Sequence, residues 1–153
     1  MKSKFHAVAG AVALLCIATF WTSTLVSELF LSTAHVITVK NGILTAMWLL
    51  IPAMAATGIS GFVLARQRTG RLLDVKQRRM RFVAANGVLI LLPCAIALAR
   101  LANSEQFDTV FYVIQCVELV AGAVNIRLLA LNMRDGLRLS GRLPRPSPAT
   151  SLK

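Results

Sequence analysis

Histidine, cysteine and acidic side chains are scarce in this sequence, at two, three and six among 153 residues. Each scarcity argues against a class of chemistry. His6 and His35 flank the first apolar run on opposite sides, so one chain cannot clamp a haem iron between them; only single-histidine ligation, a methionine partner or a site shared between copies would remain. Cys16, Cys94 and Cys116 lie inside apolar runs and form no CxxC pair, a placement of small buried thiols rather than of a disulfide framework or a thiolate metal site. P-loop, dinucleotide fingerprint, nucleophile elbow and His-x-x-x-His patterns are all missing. The sequence therefore predicts no catalytic residues, no metal and no cofactor.

What the chain has in abundance is apolar length. Hydrophobic residues make up 56% of it and the mean hydropathy is +0.68, whereas a soluble domain has about 45–50% apolar residues. A hydrocarbon core about 30 Å thick needs about 20 helical residues to cross. Four runs qualify, at residues 7–26, 43–65, 82–101 and 110–131. The expected fold is all-α: an integral membrane four-helix bundle running up-down-up-down, in one domain over residues 1–143. The tail at 144–153, with Pro144, Pro146 and Pro148, reads as disordered.

A net charge of +11 would suggest nucleic acid in a soluble protein, but here the cations cluster between apolar runs, so no nucleic-acid partner is expected. Fifteen of the seventeen basic residues fall on one side of the four spans, leaving Lys40 and Arg100 for the other. By the positive-inside rule both termini and the central loop are cytoplasmic. Arginine outnumbering lysine, with abundant alanine and leucine, points to a bacterial inner membrane. The first span resembles a signal peptide, with Ser32-Thr33-Ala34 as a small-residue cleavage site. An uncleaved anchor is expected instead, because the stretch from Trp21 to Ala34 is too long and too apolar to precede a cut; cleavage would leave three spans.

Two loops hold candidate ligands. The outer one, residues 27–42, contains Glu28, His35 and Lys40 and ends in the turn signal Asn41-Gly42; it reads as a hairpin-like cap or as continued helix. Glu28 and His35 form a possible outer-loop ligand pair, although a lone loop histidine is usually only solvated. The inner loop, RQRTGRLLDVKQRRMR, mixes seven cations with Leu72, Leu73, Val75 and Met80. It reads first as a solvated orientation signal and second as a surface helix against anionic headgroups of the lipid bilayer.

The most informative residues lie inside the spans. Gln115, Glu118, Gly122 and Asn125 share one helical face, while Arg127 points away near the inner end, where its stem can reach headgroups. Counted from Val110, Glu118 lies about 12 Å deep, where a carboxylate facing lipid would cost several kcal/mol. It must face other helices. On span three, Asn86, Pro93, Ala97 and Arg100 share one face at spacings of seven, four and three. Comparing depths predicts two contacts: Arg100 with Glu118 in the outer half, and Asn86 with Asn125 in the inner half. Either these residues lock the helices together, or Glu118, Gln115 and Lys40 form a site for a proton or polar solute. On span two, Ala53, Thr57 and Gly61 recur at spacings of four, and Pro52 invites a kink.

Taken together, the sequence favours a non-catalytic accessory or assembly subunit, present as a homo-oligomer or in a larger membrane complex. A small oligomeric transporter or ion-coupled carrier using Glu118 is the alternative. A b-type haem or quinone redox subunit comes third.

Overall fold

A computed structural model describes residues 2–65 and 71–141, with side chains over 5–63, 74–138 and 140–141. The tail at 144–153 lies outside the described residues. The chain forms α1 (Lys2–Phe30), α2 (Thr33–Ala65), α3 (Arg71–Asn86), a π-helical turn (Gly87–Leu91), α4 (Leu92–Asn103) and α5 (Thr109–Leu139). Since α3, the π turn and α4 follow one another without a break, they make one rod. Four helical stretches are long and apolar enough to cross a membrane: Phe5–Phe30, Thr33–Val63, Asp74–Asn103 and Thr109–Arg138. The fold is an all-α four-helix bundle of the membrane-spanning kind.

The helices extend beyond the apolar runs because backbone groups surrounded by hydrocarbon must bond internally. Residues 27–42 are almost entirely helical, and Leu31-Ser32 is the whole turn between α1 and α2. Ser32 starts α2: its carbonyl accepts from the His35 and Val36 amides, at 2.9 and 3.2 Å. Asn41-Gly42 does not turn the chain but lies within α2. The Asn41 side chain instead exchanges two hydrogen bonds with Asn103 at the end of α4, each 2.9 Å. The basic stretch from Arg71 likewise continues into the rod, so it is not a separate helix lying on the surface.

The π turn has a local cause. Pro93 has no N–H, and its ring would crowd the carbonyl four residues back in a regular helix. Widening the preceding turn, so that the Leu92 amide bonds to the Gly87 carbonyl, relieves that conflict. The extra residue shifts the helical phase. In α4 the buried positions are Ala95, Leu98, Ala99 and Ala102, and Arg100 is exposed.

The rod's far end closes with Glu105 in the left-handed region (φ 55°). The Glu105 amide bonds to Ala102 O and the Gln106 amide to Leu101 O, at 3.0 and 2.9 Å, satisfying the last carbonyls. Asp108 then caps α5, its carboxylate accepting from the Phe111 amide at 3.0 Å.

Helix α1 packs against α2 and α5, and α4 packs against the same two, which places α2 and α5 on a diagonal of the bundle. One apolar core, Val36, Leu98, Ala102 and Phe111, lies near the turns at 31–32 and 104–108, called here the turn end. Another, Ile17, Val83 and Leu129, lies toward the basic end, where α1 starts and α5 finishes. Trp48 (85% exposed), Phe30 (77%) and Leu89 (72%) point outward, the distribution expected where hydrocarbon rather than water surrounds the bundle.

Candidate functional site: polar ties across the bundle

Near the turn end, Lys40 reaches across the diagonal from α2 to α5. Its side chain is 1% exposed, and its ammonium donates to Gln115 Oε1 and to Glu118 Oε2, the latter at 3.0 Å. Gln115 Nε2 also donates to Glu118 Oε2, at 3.3 Å. Lys40 stands seven residues into α2 and Glu118 nine into α5. At about 1.5 Å per residue the two are nearly level. Only a long stem crosses a diagonal where the backbones do not touch, which is why lysine serves here.

Glu28, at the end of α1, completes the cluster. It lies within electrostatic reach of both Lys40 and Glu118, and its buried Oε1 has no hydrogen-bond partner. Two carboxylates thus face one ammonium. A cavity of about 60 Å³, lined in part by Trp21, Thr24, Met47, Glu118 and Gly122, adjoins them. It has room for a few water molecules.

At mid-depth Asn86 Nδ2 donates to Asn125 Oδ1 at 2.8 Å and to Ala121 O at 3.0 Å, while Asn125 Nδ2 donates to Val83 O at 3.4 Å. Both residues are buried, so all these bonds form in a low-dielectric interior. Gly122 serves a different neighbour from the one its stripe suggests. A Cβ there would stand 3.1 Å from Trp21 Cδ1, and the absence of one lets the indole donate to Leu119 O at 2.9 Å. This seats α1 on α5.

The basic end has its own buried carboxylate. Asp135, 3% exposed, accepts from Arg79 Nη1 at 2.7 Å and lies 3.7 and 3.8 Å from Arg134 and Arg138. Asn132 donates to Lys76 O at 3.4 Å, and the Lys76 ammonium lies over Gly136. Between the neighbouring helices α1 and α2, His6 Nδ1 and Ser60 Oγ are 3.0 Å apart, and Gly61 leaves space for the imidazole.

The expected pairing of Arg100 with Glu118 is corrected: Glu118 bonds to Lys40, and Arg100 is exposed with no ion-pair partner among the described residues. The physical reason is the π turn. It inserts one residue between Asn86 and Arg100, so the face carrying Asn86 continues through Leu98 and Ala102 and Arg100 swings outward. Asn86 precedes the shift and meets Asn125. His35 is exposed and bonds to Ser32 Oγ at 2.8 Å, whereas Glu28 turns inward, so the two do not form a ligand pair. Arg127 is exposed, with no ion-pair partner among the described residues.

Sequence reasoning did not anticipate Asp135, Trp21 or the Asn41–Asn103 exchange. For Asp135 a signal existed: Arg134, Arg138 and an apolar periodicity continue past residue 131, which marks a helix longer than the apolar run. Among the described residues, no group of three histidine, cysteine or acidic side chains is placed to hold a metal. No family model, curated protein or solved structure matches the chain.

Proposed function

We propose that the chain is a non-catalytic accessory or assembly subunit of a membrane complex, seated in a bacterial inner membrane with both termini in the cytoplasm. The observation that carries this reading is how the interior polar groups are engaged. Lys40, Gln115 and Glu118, then Asn86 and Asn125, then Arg79 and Asp135, bond to one another across helices at three levels. Polar chemistry in the bundle therefore holds helices in place. Recognition falls to the outer surface, where Thr45, Trp48, Pro52, Ala55 and Ile59 form an exposed seam on α2 at alternating spacings of three and four. Small residues beside a large aromatic suit close packing by a partner helix. The fifteen basic residues at one end support the cytoplasmic orientation.

Native mass spectrometry of the chain extracted in mild detergent is expected to show it bound to another polypeptide or to itself. Ala55→Trp should abolish that association without lowering the unfolding temperature. A chain that stays alone at every concentration would overturn the subunit reading.

A specific observation favours a second reading, an ion-coupled carrier formed by several copies. The Glu28–Lys40–Glu118 cluster has one carboxylate more than it has ammonium groups, a surplus that a proton or monovalent cation would balance. Purified protein in vesicles would then conduct protons or cations, and both Glu118→Gln and Glu28→Gln would stop the flux. Flux that is absent, or unchanged in both variants, rejects this reading.

A further inference from the structure

An apolar groove of about 450 Å³ runs along the outside of the bundle between the rod and α5, lined by Phe82, Ile90, Val117, Val120 and Val124 over the buried Asn86. The π turn contributes Ile90 to its wall, and the eight helical steps on each wall, from 82 to 90 and from 116 to 124, give it a length of about 12 Å. Half of a hydrocarbon core is about 15 Å deep. Because Asn86 stands at mid-depth, the part of the groove from Asn86 to Phe82 and Val124 lies in the leaflet at the basic end, where its apolar walls suit the inner part of one acyl chain.

Its lower mouth is not apolar. One turn toward the basic end from Phe82 stands Arg78, and one turn beyond Val124 stands Arg127. Both are exposed, and neither has a carboxylate partner among the described residues. Asp135, the nearest buried acid on α5, is already held by Arg79. Asp74, a turn below Arg78, makes no ion pair among the described residues. Two cations thus flank the end of an apolar channel at the level where a phospholipid carries its phosphate.

We propose that this groove binds one anionic phospholipid, with an acyl chain between the rod and α5 and its headgroup between Arg78 and Arg127. The arginine forks match phosphate oxygens in geometry as well as charge. The site is independent of the protein partner, since it lies on a different face from the α2 seam.

The test is native mass spectrometry of the full chain released from nanodiscs made of equal parts phosphatidylglycerol and phosphatidylethanolamine. The wild type should retain one phosphatidylglycerol in preference to phosphatidylethanolamine. Arg78→Gln and Arg127→Gln should each lower that preference about five-fold, the effect of removing one cation near a headgroup. Arg100→Gln, at the turn end, should leave it unchanged. Val120→Trp, at a position 67% exposed, fills the groove without entering the core and should lower retention of the bound lipid. Equal retention of the two lipids by the wild type would overturn the proposal, as would a preference that survives both arginine changes. Retention unaffected by Val120→Trp would overturn the seating of the acyl chain.

Discussion

Glu118, half-buried, and Asp135, buried, are both acids on α5, about 25 Å apart along the helix, and their surroundings are opposite in kind. Asp135 sits among Arg79, Arg134 and Arg138, more cation than it needs. Glu118 pairs with a single ammonium, whose field also reaches Glu28, and leans on Gln115 for a further donor. The difference follows the distribution of charge along the chain. The turn end holds four of the six acids, Glu28, Glu105, Asp108 and Glu118, but only Lys40 and Arg100 of the seventeen bases. Asp135 is thus a replaceable nail in a cationic surface, whereas Lys40 is a keystone: without it two carboxylates remain inside the membrane with no counter-ion.

Substitutions can break or sharpen that contrast. Lys40→Met should be the most damaging, costing about 3–5 kcal/mol in reversible unfolding from mixed micelles, because it strands buried carboxylate charge. Adding Glu118→Leu to Lys40→Met should recover part of the loss; no recovery would mean that Lys40 acts through something other than Glu118. Asp135→Asn should cost less, about 1–2 kcal/mol, since the released arginines can extend to headgroups and water. If Asp135→Asn proved the worse of the two, the keystone and the nail would have to change places. Asn125→Leu, which strands Asn86 at mid-depth, should cost about 0.6–2 kcal/mol. The smallest effect belongs to Arg100→Gln, within about 0.5 kcal/mol of wild type by the same measurement. A large loss there would revive a role for Arg100 that its exposure denies.

How far the sequence could be read depended on what interrupts a regular helix. Four spans follow from apolar length, which nothing in the chain disguises. The Asn86–Asn125 contact follows from depth, because the extra residue of the π turn moves Asn86 by only about 1.5 Å along the rod and the connection to α5 is short. Arg100 lies beyond the π turn, so any depth and face assigned to it from a regular helix is displaced by a residue. Lys40 could be grouped with Gln115 and Glu118 by level, but Asn41-Gly42 suggested a loop there. The turn signal lost because the Asn41 amide found a partner in Asn103 and the backbone kept its helical bonds. Asp135 fell past the end of the apolar run, where hydropathy stops reporting on a helix that in fact continues to Leu139.

The widened turn at Gly87–Leu91 also makes the rod a splice between two reading frames. Residues before it and after it obey the same 3.6-residue rhythm, but the second passage enters one beat late. Replacing Pro93 with alanine, with every residue of the turn kept, would let the rod become uniformly helical and rotate everything beyond it by about 100°. Leu98 and Ala102 would then leave the interior and Arg100 would turn toward α5. A tolerance scan along the rod should accordingly show two periodic patterns that fail to join, with the seam at the π turn.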